Sequence, residues 1–104
     1  MADFKDDKES DVVTRTRSRT KKPKLYKVLL HNDNYTSMEF VVDILEEIFH
    51  MPPGAATQVM LKIHREGHGV AGVFTRDIAE TKVQQVEDRA IEWGYPLLCT
   101  MEPA

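Results

Sequence analysis

The sequence predicts an α+β domain of order β-α-α-β-α-β: a three-stranded, mainly antiparallel sheet with three helices packed on one face, preceded by a disordered tail. Two observations carry that expectation. Short β-rich apolar runs alternate with longer segments whose apolar residues recur at helical spacing. Each helical segment has one apolar stripe, and three strands are too few for a doubly wound parallel sheet, so the helices are expected on a single face.

Residues 1–23 hold few large apolar side chains, Phe4, Val12 and Val13 among them, within a run of charged and hydroxyl residues. Such a segment buries too little surface to offset its ordering entropy, and it is expected to be disordered up to Pro23. Residues 24–104 then form one domain. Leu25-Tyr26-Lys27-Val28-Leu29-Leu30 reads as the first strand, stopped by the turn formers His31-Asn32-Asp33-Asn34. Thr36-Ser37-Met38-Glu39 fits a capping box, with Thr36 as the cap and Glu39 reaching back. The helix that follows places Met38, Val41, Val42, Leu45, Ile48 and Phe49 at helical spacing and turns Asp43, Glu46 and Glu47 to water. Pro52-Pro53 ends it.

A second helix is expected from Pro53 or Gly54 to about Glu66, with Ala56, Val59, Met60 and Ile63 inward and Gly67 as a left-handed cap. Val70 to Phe74 reads as the second strand. Thr75 caps a long helix whose face carries Ile78, Ala79, Val83, Val86, Ala90 and Trp93, closed by Gly94. Pro96 to Met101 reads as the last strand.

Composition narrows the function classes. The net charge of −3 is unevenly spread. Residues 1–24 carry eight basic and five acidic side chains, and residues 25–104 carry six and twelve. An acidic core repels phosphates, so only the tail could be a handle for nucleic acid. No apolar run reaches the roughly 18 residues of a membrane helix. The start lacks a secretory signal, and a single cysteine, Cys99, forms no intrachain disulfide; a reducing, cytoplasmic setting is the simple reading.

Catalytic signatures are weak. Cys99 sits among apolar neighbours in a strand, as inert core thiols do. His31, Asp33 and Ser37 lie within seven residues of one another and lack a nucleophile elbow. His64 and His68 have the i, i+4 spacing of a metal pair, but Gly67 is expected to end the helix between them. No metal, cofactor or catalytic residue is therefore expected.

The group that stands out is polar and compact. Asn32, Asp33 and Asn34 lie at a strand-to-helix junction. Met38, Val41 and Val42 follow on the first helix, and Met60, Ile63 and His64 share one face of the second. A mouth of amide, carboxylate and imidazole groups above an apolar hole suits an ammonium attached to a bulky side chain. The same residues also read as ordinary turn, cap and core chemistry.

Four stretches raise the first of these readings. Tyr26 to Val41, YKVLLHNDNYTSMEFV, is similar to the ClpS pattern YKVxLxNDDYTPMEFV. Ala56 to His64 resembles the family's second helix, ATxxMLxVH. Gly72 to Val83 matches GVxTxExAETKV, and Pro96 to Thr100 its last strand. In order and at the family's spacing, these cover nearly all of residues 24–104.

The resemblance implies an adaptor that binds the free N-terminal Phe, Tyr, Trp or Leu of a substrate and hands it to a ClpA-type AAA+ ATPase with its ClpP peptidase. By the same resemblance Asn32, Asn34 and His64, with Asp33 beside them, meet the α-amino group. Thr36, Met38, Val41, Met60, Ile63 and Leu97 form the hydrophobic pocket, with Ser37 at the rim. Asp77, Glu80 and Lys82 form the ATPase-binding surface, and residues 1–23 correspond to a mobile N-terminal extension needed for handover. Two positions depart from the pattern: Asn34 stands where the family usually has Asp, and Ser37 where it usually has Pro. The alternative reading is a small nucleic-acid or ribosome-associated module using the basic tail. A weaker third reading is a hydrolase built on His64 and Asp33.

Overall fold

The structure, a computed structural model, describes residues 22–104; the disorder expected of residues 1–23 falls almost wholly outside the described residues. The elements run β1 (Leu25–His31), α1 (Met38–Glu47), α2 (Pro53–Glu66), β2 (His68–Thr75), α3 (Arg76–Trp93) and β3 (Leu98–Pro103). This is the β-α-α-β-α-β order expected. The strands form one antiparallel sheet of order β2-β1-β3, so the first strand is the central one.

The sheet has one covered face and one open face. Val28 and Leu30 of β1 are fully buried under the helices, as is Cys99 of β3 opposite Leu30. Their neighbours Lys27, Leu29 and His31 alternate onto the other face, beside Glu102, Thr100 and Leu98. On β2 the register slips by one residue between the partners of Val28 and Leu29, which leaves Ala71 as the extra residue of a bulge. Through that bulge both Gly72 and Gly69 face inward. A Cβ on Gly69 would lie 2.8 Å from Ile63 Cγ1, so the missing side chain lets α2 settle against the strand.

The caps follow local chemistry. Ser37 Oγ, not Thr36, caps α1 by accepting from the Phe40 N–H at 3.1 Å. The helix therefore starts one residue later than the capping box implies, because Asp33 has taken the Thr36 hydroxyl. Gly67 (φ 95°) and Gly94 (φ 77°) close α2 and α3 in the left-handed conformation glycine tolerates best. Thr75 stands at the start of α3 without a side-chain cap bond.

Two inward residues of α1, Phe40 and Ile44, were not on the expected stripe, and Met38 is 42% exposed. The stripe is broader because α1 is packed from two sides. Phe40 meets Tyr95 at a centroid distance of 4.6 Å beyond the end of α3, while Val41 and Leu45 complete the core. On α3 the buried positions are Ala79, Val86 and Ala90, small enough for close approach to the sheet. Ile78 and Trp93 stay largely exposed, at 49% and 65%. Ile78 lies about 100° around the helix from Ala79, and Trp93 falls at the helix end.

Candidate functional site

The site is built where β1 hands the chain to α1 and where α2 returns it to β2. Asp33 organises the first of these junctions. Its Oδ1 accepts from the Tyr35 and Thr36 amides at 2.8 and 2.7 Å, and its Oδ2 accepts from the Thr36 hydroxyl at 2.8 Å. Partial burial alone would raise this carboxyl's pKa. The bonds from the Thr36 amide, the Tyr35 amide and the Thr36 hydroxyl outweigh that cost and hold it below the usual carboxylate value. The second junction is tied to the first by the Asn32 N–H, which donates to the Gly67 carbonyl at 2.8 Å.

Between them opens a cavity of about 280 Å³, lined by Asn32, Asp33, Asn34, Thr36, Met38, Val41, Met60, Ile63 and His64. The mouth is polar: Asn32, Asn34 and His64 are all exposed. The floor is apolar, formed by the buried Val41, Met60 and Ile63. A dry cavity of about 150 Å³ is enough to admit benzene, so one aromatic side chain fits here. Met38 and Met60 also border a second depression of about 330 Å³, with Glu39, Val42 and Asp43, so these two flexible thioethers form a thin shared wall.

Leu97 is the exception among the pocket residues expected from the sequence. It lies just before β3, is buried in the core cluster and does not line the cavity. Asp33 lines the cavity, yet three hydrogen bonds already occupy its carboxylate. A carboxylate offers roughly four lone-pair sites, so Asp33 gives a bound cation mainly charge at short range. Ser37 is committed to its cap.

The three residues expected on an ATPase-binding surface separate. Asp77 and Glu80 are exposed on α3, Glu80 in an ion pair with Arg76 at 3.2 Å. Lys82 is five residues beyond Asp77, about 140° around the helix, and turns inward to donate to the Ile48 carbonyl at 2.6 Å.

The arrangement is one for binding. Cys99 is buried, and burial, with Glu87 nearby, pushes its thiol pKa up to about 12, so it is protonated and unreactive at neutral pH. The triad residues do not meet: His31 bonds to Thr100, Asp33 to its own turn, and Ser37 to Phe40. His64 ends up on α2 and His68 on β2, so they are not a helical pair. No helix among the described residues is long and apolar enough to cross a membrane. The basic run from Arg15 lies mostly outside the described residues.

Fold and site together define a small α+β binding domain with an apolar cavity beneath a polar mouth. A family model described as "ATP-dependent Clp protease adaptor protein ClpS" matches residues 21–100. ATP-dependent Clp protease adapter proteins ClpS of Burkholderia cenocepacia and Burkholderia vietnamiensis are each 52% identical over 104 residues, covering all of both chains. The solved structure of Agrobacterium tumefaciens ClpS2 bound to L-phenylalaninamide matches with a TM-score of 0.77 and 47% identity, over 80% of this chain and 100% of that one. The chain belongs to the ClpS family of Clp protease adaptors.

Proposed function

We propose that the chain captures the free N-terminal Phe, Tyr, Trp or Leu of substrate proteins and delivers them to a ClpA-type AAA+ ATPase with its ClpP peptidase. The observation that carries this reading is the pairing, in one cavity, of an acceptor-bearing mouth with an apolar floor sized for one side chain. The ligand of the Agrobacterium relative, L-phenylalaninamide, has the matching two parts, a free α-amine and a benzyl group.

The α-ammonium has three donors to place. The Asn32 and Asn34 side-chain oxygens and a neutral His64 nitrogen supply acceptors, and Asp33 adds negative charge nearby. The side chain enters between Met38, Val41, Met60 and Ile63. Burying it is worth about 1.5–3 kcal/mol, and each hydrogen bond from the ammonium a similar amount. Both contributions are needed for useful affinity. The adaptor performs no chemistry, needs no cofactor and works in the cytoplasm, without nucleic acid or membrane.

Delivery uses a second surface. Asp77 and Glu80 offer carboxylates for docking to the ATPase, and residues 1–23 serve handover. The test is degradation of a reporter protein beginning with Phe, by ClpA and ClpP, with and without this chain. Accelerated degradation that disappears when the reporter begins with Ser is expected. Equal rates for both reporters would refute the reading.

A further inference from the structure

A pair of histidines lies outside the pocket, on the open face of the sheet. His31 ends β1 and His68 begins β2, and the two are direct partners in the antiparallel register. Side chains of directly opposed residues leave the same face of a sheet with their Cβ atoms about 4.5–5.5 Å apart. The rings stand nearly edge to face, with centroids 6.0 Å apart and planes at 68°. His31 is half-buried and His68 exposed, so water and ions reach both.

We infer that His31 and His68 form a binding site for a borderline divalent transition-metal ion of the Zn²⁺ class. A metal sits about 2.0–2.1 Å from each ligating nitrogen, which puts the centroids of two imidazoles sharing it roughly 5–6 Å apart. The observed 6.0 Å falls at the outer end of that range. The site also has an outer partner. His31 Nε2 lies 2.7 Å from the Thr100 hydroxyl on β3. With Nε2 carrying its proton to Thr100, Nδ1 is left with the lone pair a metal needs, and ligating histidines are ordinarily fixed by such a bond at the other nitrogen.

Two imidazoles favour copper, nickel and zinc over calcium or magnesium, which prefer oxygen. No group of three or more His, Cys, Asp or Glu side chains stands ready to ligate among the described residues, so water fills the other positions. The surrounding charges, Lys27 and Lys62 against Glu66 and Glu102, balance and leave selectivity to the imidazoles. The ion would fasten the ends of β1 and β2 just where the Asn32 N–H meets the Gly67 carbonyl, behind the mouth of the pocket. The pair is separate from the pocket reading and its test requires no peptide.

The experiment is a calorimetric titration of the chelator-treated full chain with Zn²⁺, paired with thermal unfolding. One saturable equivalent and a raised unfolding midpoint are expected. His31→Gln and His68→Gln should each weaken binding at least tenfold and abolish the midpoint shift, while His50→Gln changes neither. Should His31→Gln fold poorly, His68→Gln decides alone, because that side chain is exposed and its removal leaves the Thr100 bond in place. Absence of saturable binding, or binding unaltered by His68→Gln, would overturn the site.

Discussion

The Lys82 ammonium donates to the Ile48 carbonyl at 2.6 Å, and it lies within about 6 Å of the Phe49 and Phe74 rings, at 6.0 and 5.8 Å. Ile48 follows the last residue of α1, so Lys82 places a cation from α3 at the negative end of the α1 dipole. It joins the helix that lines the pocket to the helix that bears Asp77 and Glu80.

Lys82→Met keeps the aliphatic stem and removes the donor. Leaving a shielded carbonyl unpaired costs about 1–3 kcal/mol. In a domain of this size that lowers the unfolding midpoint by about 5–15 °C. An unchanged midpoint would mean that the ammonium is free to contact a partner and that the clasp contributes nothing.

The Asp33 turn is expected to be the acid-sensitive part of the site. Its folded-state pKa is depressed, so the stabilisation is complete above the unfolded value near 3.8 and is lost as pH falls through the lower folded value. Asp33→Ala removes the acceptor for two amides and a hydroxyl, costing about 1–2 kcal/mol at pH 7. The gap between wild type and variant should narrow as pH falls below about 4. Parallel stability curves through that range would contradict this role.

Met38 is expected to set tolerance at the pocket entrance. Met38 lines the cavity beside its outer wall, where it would crowd the Cβ of a bound residue, and Ile and Val carry two heavy atoms there. Met38→Ala opens the wall shared with the outer depression. Peptides beginning with Ile or Val should be excluded by the native chain and should gain about tenfold or more in affinity with the variant. Fluorescence anisotropy with labelled peptides measures it, and continued exclusion would place the steric gate elsewhere.

Position 34 tests the geometry at the mouth. Asn34→Asp adds a carboxylate beside the ammonium, and a charged hydrogen bond exceeds a neutral one by about 1 kcal/mol. Because Asp33 is held in its own turn, the added charge should meet the ligand. Affinity for Phe, Tyr, Trp and Leu peptides should rise several-fold alike, and the gain should shrink in high salt. No gain at low salt would mean that position 34 does not face the amine.

The element order was legible because each signal was local. The Leu25–Leu30 run, the Pro53 start and the Gly67 and Gly94 stops are each fixed by neighbouring chemistry, and all hold in the structure. The residues that line the cavity were legible through the strand-to-helix turn, spacing on two helices and the family resemblance, whereas Leu97, expected among them, lies in the core. What escaped depends on contacts distant in sequence. Asp33 claims the Thr36 hydroxyl and moves the cap to Ser37. Phe40 becomes core only because Tyr95 arrives from beyond α3. Lys82 reads as a surface charge until Ile48 is found across from it. Gly67 was expected to separate His68 from His64, as it does, but only the strand register reveals His31 as the partner of His68.

The central claim is that one cavity reads a free amine and a bulky first side chain together. The direct measurement is the affinity of this chain for a peptide beginning with Phe, compared with the same peptide acetylated at its N-terminus and with one beginning with Ser. Acetylation replaces the charged donors by one neutral amide, and Ser leaves the floor of the cavity unfilled. Each change should cost about 2–3 kcal/mol, or roughly 30- to 150-fold in dissociation constant. Equal affinity for free and acetylated Phe peptides would contradict the account, whatever the side chain contributes.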